Sequence, residues 1–571
     1  RAIMAFAKDE KNGSTASDVE RPYSSSTMEG EEIKRDLKSR HINMIAIAGM
    51  IGTGLFLSSG QVIAIAGPAG AFLAYIVMGF VTGGISYTTG EISSFMPCSG
   101  GFVRHATRFV EPALGAATGW NFWYTMAISA PTEITAAATI VQFWNASVSP
   151  AVWITVFGVF ITALNFCNVK LYGESEVIFA SLKIMLIIGL IIGGIVIDLG
   201  GTPGQERLGF HYWKDPGAFN EFIDTGSAGR FLAFWKVLLT SAFSFGNIQV
   251  VAIAGAETQN PRKIIPDATR KTFIRIFFFY VVSIFIVGLI VPSNDKDLTI
   301  STGTATQSPF VIAFVRSGVS VVPHIINAVV CTSAISGSSS CIFIASRTLY
   351  GLSQDGHAPK FFQRCNRFGT PYYAVGLTVL LLPLMYMSLG SSAAIVFSWF
   401  VNITTVAGLI GWIVIAGTYL RFYACLKRQG YSRDELPYRT PWQPYTAWAS
   451  LFMVVMIVLT SGFDVFTKNN FTASGFLTSY LNIAIFAGMY PYLNNPAALT
   501  TRQDSTYSSN SSSNRRSFPW MRSTSAANSN KLKRKKPKVS ISPQTKWAGP
   551  GGDVHSTGSK DGATAHIHPN I

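Results

Sequence analysis

Residues Ile42 to Phe56 read I-N-M-I-A-I-A-G-M-I-G-T-G-L-F. The stretch opens as an apolar helix and then places Gly49, Gly52 and Gly54 where a membrane-spanning helix would be near mid-depth. In hydrocarbon an unsatisfied backbone polar group is costly, so a break at that depth survives only where it lines a cavity or neighbours satisfy it. A half-helix ending inside the bilayer offers N–H groups to an anion and carbonyls to a cation, a pairing suited to a zwitterion such as an amino acid. Glycine lets a carboxylate approach the backbone closely. The glycines alone fit a packing face equally well, because small residues let membrane helices come together.

The rest of the chain has membrane composition. Of its 571 residues, 49% are hydrophobic and 13% charged, with 41 Phe, and its mean hydropathy is +0.32. Soluble domains carry about 25% charged residues. The net charge of +16 does not point to nucleic acid, because twelve Lys or Arg against three Asp lie after residue 500 in a Ser/Asn-rich tail. The six cysteines fall mostly in apolar segments or expected cytoplasmic loops and show no disulfide or metal spacing. No cofactor loop is visible, and no cleavable signal peptide precedes the first apolar run. Arg1 in place of Met predicts an incomplete or processed start.

Residues 1–40 are polar and read as a disordered cytoplasmic arm, residues 41–492 as the transmembrane domain, and 493–571 as a disordered basic tail. Apolar runs long enough to cross a bilayer are expected near 43–66 (broken), 71–95, 114–143, 150–168, 175–198, 231–257 (broken), 272–292, 322–348, 373–390, 393–421, 446–467 and 474–492. The fold class is therefore all-α integral membrane, with about twelve spans. An even count puts both termini on one side. Arg104, Arg108, Lys170, Arg262, Lys263, Arg270, Lys271, Lys360, Arg364, Arg367, Arg421, Lys427, Arg428, Arg433 and Arg439 make that side cytoplasmic. The sequons at Asn145 and Asn470 then face outward.

Span 6 repeats the feature of span 1, with S-F-G-N-I-Q at Ser244 to Gln249 and G-A-E-T-Q-N-P at 255–261. Interrupted helices at matching positions, five spans apart, mark two inverted five-helix repeats with a site where they meet. Gly79/Gly83, Gly115/Gly119 and Gly189/Gly193 read as packing contacts. Ser336 to Ser340 reads as a flexible or packing segment, since no positioned base accompanies it.

Several motifs over residues 35–490 closely resemble the fungal amino acid permeases, the yeast amino acid transporter branch of the amino acid/polyamine/organocation superfamily. They are R-H-I-N-M-I-A-I-A-G-M-I-G-T-G-L-F at 40–56, G-P-A-G at 67–70, Y-T-T-G-E-I at 87–92, G-G-F-V-R at 100–104, A-E-T-Q-N-P-R-K at 256–263 and S-R-T-L-Y-G-L at 346–352. The resemblance implies ten core helices plus two peripheral ones, importing L-amino acids with protons across the plasma membrane, and no enzyme activity. It assigns the substrate carboxylate to Ile51, Gly52, Thr53 and Gly54 and the ammonium group to carbonyls around Ala48 and Ser244 to Gly246. Phe245, Asn247, Ser129, Thr132 and Asn402 are the expected side-chain pocket.

Charged groups inside a span are functional candidates. Glu133 in span 3 is a candidate proton carrier, or else a carboxyl satisfied by Thr132 or Thr135. Lys183 in span 5 either reaches the cytoplasmic surface along its stem or, as the resemblance to bacterial relatives implies, is a proton-linked charge beside span 1. Glu257 closes span 6, in a substrate or coupling role or paired with Arg262 or Lys263. Gln249 stands where many relatives carry Glu, which predicts neutral substrates over basic ones. The rival readings are a carrier of another small amine such as 4-aminobutyrate or choline, disfavoured by the carboxylate site, and a receptor that senses amino acids with little transport. The resemblance stops near Tyr490. The basic run Lys531 to Lys538 beyond it reads as disorder or a misjoined tail, with binding to anionic lipid or a mimicked nuclear signal as alternatives.

Overall fold

A computed structural model of the chain describes residues 51–494 except 99, 145–146, 168, 203–205, 256–260, 300–307, 391–392 and 468–469, together with Met44 and Gly49. The N-terminal arm, the tract after 494, Ala48, Asn145 and Glu257 lie outside the described residues. Helices dominate and no strand occurs among the described residues.

The helices follow the expected spans. They are α1 (Ser59–Phe95), α2 (Phe102–Phe109), α3 (Pro112–Val141), α4 (Pro150–Phe166), α5 (Val169–Asp198), α6 (Gly226–Ser244), α7 (Val250–Gly255) and α8 (Pro261–Ile290). After these come α9 (Pro309–Arg316), α10 (Val321–Gln354), α11 (Tyr372–Val379), α12 (Ala393–Arg428), α13 (Tyr445–Leu459) and α14 (Ala473–Asn494). Among the described residues six helices are long and apolar enough to cross a membrane, and α4 and α13 are shorter apolar helices. The helix α3 is outside that set and needs no apolar surface on every side, because most of it is buried in protein.

Spans 1 and 2 share α1 and part at Gly67, whose φ of +74° is a conformation that glycine adopts without strain. The connection between α5 and α6 closes this corner. Ala69 N–H donates to Ala218 O at 2.9 Å, Asn220 N–H to Ala66 O at 3.2 Å, and Asn220 Nδ2 to Ala64 O at 2.8 Å. One loop thus supplies donors for carbonyls that the end of a helix leaves open.

The most extensive packing pairs α3 with α10 and α8 with α1. These are spans 3 and 8 and spans 7 and 2, the matched members of two halves offset by five. Glycines permit the approach. A Cβ at Gly83 would lie 2.6 Å from Phe273 Cζ, and one at Gly79 would run into the Phe277 ring. Gly115 and Gly119 are filled in the same way by Thr107 and Leu352. The third expected pair is only half a contact: Gly193 meets Phe314 of α9, whereas nothing lies within 4 Å of a Cβ at Gly189.

Among the described residues two ion pairs tie together the ends of the helices that carry Glu91 and Arg104. Glu91 of span 2, 1% exposed, accepts from Arg433 Nη2 at 2.8 Å, Arg433 Nε at 3.0 Å, the Tyr419 hydroxyl at 2.8 Å and Thr440 N–H at 2.9 Å. Every lone pair is used, as a buried carboxylate requires. Arg104 of α2 shares its Nε–H between the two carboxylate oxygens of Asp355, each at 2.9 Å, with Nη2 2.8 Å from Oδ1.

Overpacking a filled contact costs about 1–3 kcal/mol, so Gly83→Val should lower the melting temperature in a thermal-stability assay. Gly189→Ala should leave it unchanged or raise it by removing unfolded-state freedom. Equal destabilisation by both would contradict the packing described here.

Candidate functional site

The break in span 1 is held open by side chains from three other spans. Ile51 and Gly52 bend, Thr53 restarts the helix, and Gly54–Ser58 form a π-turn leading into α1. Ser333 Oγ donates to Ile51 O at 3.2 Å, and Asn247 Nδ2 donates to Gly49 O at 3.3 Å. Thr53 donates both its backbone N–H and, at 3.3 Å, its hydroxyl to Glu133. The break is therefore satisfied from spans 8, 6 and 3.

Span 6 breaks beside it. The helix α6 stops at Ser244 and α7 resumes at Val250, with Asn247 between them at a φ of +67°, a conformation that Asn tolerates better than most residues. A Cβ at Gly54 would lie 2.9 Å from Ser244 Cα, so the two breaks touch. Ser244 Oγ also bonds the Tyr75 hydroxyl at 2.9 Å.

Glu133 sits at the centre of this arrangement. A Cβ at Gly52 would lie 2.7 Å from its Oε1, and one at Gly337 would lie 3.3 Å from its Cδ, so two glycines make the slot that its carboxyl occupies. Thr132 and Thr135 donate instead to Ile128 O and Pro131 O of their own helix. The expected threonine partners are thus replaced by Thr53. The carboxyl stands at the N-terminal start of the second half of span 1, where backbone N–H groups favour negative charge.

A second acid lies two helical turns from Lys183. Glu176, fully buried, accepts from Ser336 Oγ at 2.8 Å, and Ser336 Oγ accepts from Lys183 Nζ at 3.3 Å. Lys183 lies within electrostatic range of both Glu176 and Glu133. It is 1% exposed and does not reach the surface. The serine tract of α10 is more than a packing segment: Ser333, Ser336 and Ser340 share a helical face and bond Ile51, Glu176 and Tyr172, while Ser338 donates to Ala130 O at 3.0 Å.

Other expected residues are placed apart. Phe245 packs between Tyr75 and Tyr280, with ring centroids 5.8 and 5.0 Å away. Ser129 donates to Thr125 O within α3. Gln249 accepts from Trp412 Nε1 at 3.0 Å. Asn402 lines a separate cavity of about 300 Å³ with Ser58, Thr240 and Lys236. Glu176, Ser333 and Tyr75 were not singled out from the sequence, and Ser336 and Gly337 were read only as part of a flexible or packing segment. The signals that could have found them were a Glu and a Lys seven residues apart in one span, and serines at three- and four-residue spacing.

A family model described as "Amino acid permease" matches residues 41–495. The chain belongs to the amino acid permease family. This permease is 42% identical over 475 residues, covering 81% of the chain and 86% of the relative, to the proline-specific permease of Emericella nidulans. It is 38% identical over 464 residues, 81% of the chain and 76% of the relative, to the lysine-specific permease of Saccharomyces cerevisiae. These relatives are named as permeases, transporters and not enzymes. A crystal structure of a manganese transporter from Eremococcus coleocola, in complex with an aromatic bis-isothiourea compound, shares the fold at a TM-score of 0.52 and 10% identity. It covers 82% of this chain and 94% of that one. At that identity the likeness concerns the fold alone.

Ser336→Ala would leave a buried Glu176 oxygen without its donor, a loss worth about 1–3 kcal/mol. A drop in thermal stability should follow, larger than that of Ser181→Ala, whose hydroxyl bonds only Val177 O of its own helix. Equal effects would count against the Lys183–Ser336–Glu176 chain.

Proposed function

We propose that this permease imports L-amino acids across the plasma membrane by proton symport and alternating access, with both termini cytoplasmic and neutral substrates favoured over basic ones. The observation that carries the reading is the contact of the two breaks, Gly54 against Ser244, with Glu133 at the start of the second half of span 1. Amide groups of Ile51 to Gly54 would take the substrate carboxylate, and carbonyls near Ser244 to Gly246 its ammonium group.

The same geometry supports coupling to a proton. Glu133 and the incoming carboxylate converge on one helix N-terminus, and two carboxylates sharing a site do not both stay ionised. A proton delivered to Glu133 lets the substrate displace it from Thr53. Lys183 then keeps Glu176 through Ser336 as its counter-charge, so the buried cluster holds its balance while the spans move. Release of both cargoes on the cytoplasmic side, after the Glu91 and Arg104 ion pairs open, would reset Glu133 onto Thr53.

Substrate class rests on charge. The proline-specific and lysine-specific relatives match at similar identity, so overall likeness does not choose between them. The amide Gln249, tied to Trp412, supplies no carboxylate for a basic side chain.

Uptake of labelled amino acids by permease-deficient yeast tests both parts. Wild-type uptake should rise as external pH falls and collapse with the proton gradient, whereas Glu133→Gln, neutral at every pH, should lose the dependence. Uptake indifferent to pH and to an uncoupler would sink the coupling. In competition, leucine or proline should displace a labelled neutral substrate at least about tenfold better than lysine, a difference of about 1.4 kcal/mol. Lysine winning would remove the neutral preference.

A further inference from the structure

The polar contacts between spans 5 and 8 do not end with Lys183, Ser336 and Glu176. Tyr172, Glu176 and Lys183 lie four and seven residues apart on α5, and Ser336, Ser340, Phe343 and Arg347 lie four, three and four apart on α10, spacings that put each set on one helical face. The two faces meet. Ser340 bonds Glu176 as Ser336 does, and the Tyr172 hydroxyl donates to Ser340 Oγ at 3.1 Å. The Tyr172 ring stacks on Phe343, with centroids 4.2 Å apart and planes 9° from parallel, and the Arg347 guanidinium lies 3.6 Å from the centre of the same Phe343 ring. From Lys183 to Tyr172 the helix rises about 16 Å, about half the thickness of the hydrocarbon core. Tyr172 stands in the first turn of α5, which begins at Val169.

The two acids on either side of Lys183 are bonded sparingly. Glu133 Oε1 accepts from Thr53 and Glu133 Oε2 has no hydrogen-bond partner, while Glu176 Oε2 accepts from Ser336 and Glu176 Oε1 has none. Glu91, by contrast, takes donors from Arg433, Tyr419 and Thr440 on both of its oxygens. A buried carboxylate held in its ionised form needs such a set of donors, whereas a carboxyl oxygen without one has a place for a proton. The titratable groups in electrostatic reach of Glu176 are Lys183 and Tyr172 on its own helix and Cys341 on α10. Lys183 is also in reach of Glu133 on α3, so it stands in contact with both acids. Ionisable groups at this depth are expensive, and a continuous row of them from the site to the end of a span marks a path more readily than a packing seam.

Resting on the reading of the chain as a proton symporter, we propose that Glu176 is a second station for the transported proton, and that Ser340 and Tyr172 lead the proton from there to the cytoplasmic end of span 5. The transfer balances. Ser336 gives its hydroxyl proton to Glu176 Oε2, the Lys183 ammonium replaces it, and the amine takes up the proton that Glu133 releases. Glu133 is left ionised, Glu176 is protonated, and Lys183 and Ser336 are as they began, so the net charge of the cluster does not change. With the proton on Glu176 the donors of the second stretch reverse: Glu176 donates to Ser340, Ser340 to Tyr172, and the Tyr172 hydroxyl releases one proton to water at the start of α5. Arg347, in electrostatic reach of Tyr172, disfavours a proton resting at that exit. The proton therefore leaves between spans 5 and 8, by a route that the amino acid at the breaks of spans 1 and 6 does not share.

The purified full chain in proteoliposomes separates release of the proton from movement of the amino acid. Net uptake of labelled proline or leucine driven by a proton gradient needs a proton to leave on every cycle, whereas exchange of labelled for unlabelled amino acid returns the carrier loaded and does not. Glu176→Gln should lower gradient-driven uptake about 100-fold, the lower end of the loss typical of a positioned proton-transfer group, and keep most of the exchange. Tyr172→Phe, which removes one oxygen and leaves the stacked ring, should show the same split, and Glu176→Asp should recover part of the net uptake. Ser181→Ala, whose hydroxyl bonds only Val177 O of its own helix, should change neither rate. Uptake and exchange falling together in Glu176→Gln and Tyr172→Phe would make the row a packing seam and overturn the route, and so would gradient-driven uptake at the wild-type rate in both. Should Glu176→Gln fail to fold, Tyr172→Phe decides by the same split. Wild-type transport indifferent to the proton gradient would bring down the coupling and the route with it and leave the carrier standing, and transport of neither kind would bring down the carrier reading too.

Discussion

A polypeptide inside hydrocarbon has to satisfy its own backbone, and the interruption at Ile51 to Gly54 meets that demand through other spans. Ser333 covers the Ile51 carbonyl, Asn247 covers the Gly49 carbonyl, and Glu133 takes the Thr53 donors. Remove these and the break would close into a continuous helix or leave costly unpaired groups. The glycines that read as a site in the sequence are thus needed twice: once so that Gly54 meets Ser244, and once so that Gly52, opposite Gly337 of span 8, makes room for a carboxyl.

The same demand links the site to the symmetry of the fold. Spans 1 and 6 touch at their breaks, spans 2 and 7 pack through Gly79 and Gly83, and spans 3 and 8 lie along each other with Glu133 on one and the serine face on the other. Matched members of the two halves therefore meet at one place. The ion pairs Glu91 with Arg433 and Arg104 with Asp355 tie span 2 and α2 to segments that follow span 10 and span 8. Any motion that parts the spans at this end has to release contacts of this kind, and a buried pair such as Glu91 with Arg433 opens only if water or another group takes its place.

The spans and both breaks were legible in the sequence because they depend on local features: apolar runs, glycines at depth, and Asn247 and Gly246 in an otherwise apolar helix. What was not legible depends on which helices face each other. Glu176 lies beside the expected start of span 5 at residue 175, where a charge does not stand out as lying within the membrane. The helix in fact begins at Val169, which puts Glu176 two turns inside and fully buried. The serines of span 8 carried no meaning until Ile51, Glu176 and Tyr172 were opposite them. Gly189 fails as a contact for the converse reason: its spacing to Gly193 is right, but no partner approaches it. Asn402 lines a separate cavity, because position along span 10 fixes its depth and not the cavity it joins.

The central claim is that two half-helix ends, one near Gly52 and one near Gly246, grip a molecule bearing both charges. Cryo-electron microscopy of the full chain in lipid with a transported amino acid tests it most directly. The account predicts ligand density between the breaks, its carboxylate on the amides of Gly52 to Gly54 and its ammonium group toward the carbonyls at Ser244 to Gly246. Either span running unbroken through the bilayer centre, or a ligand bound with its carboxylate away from the start of the second half of span 1, would contradict it.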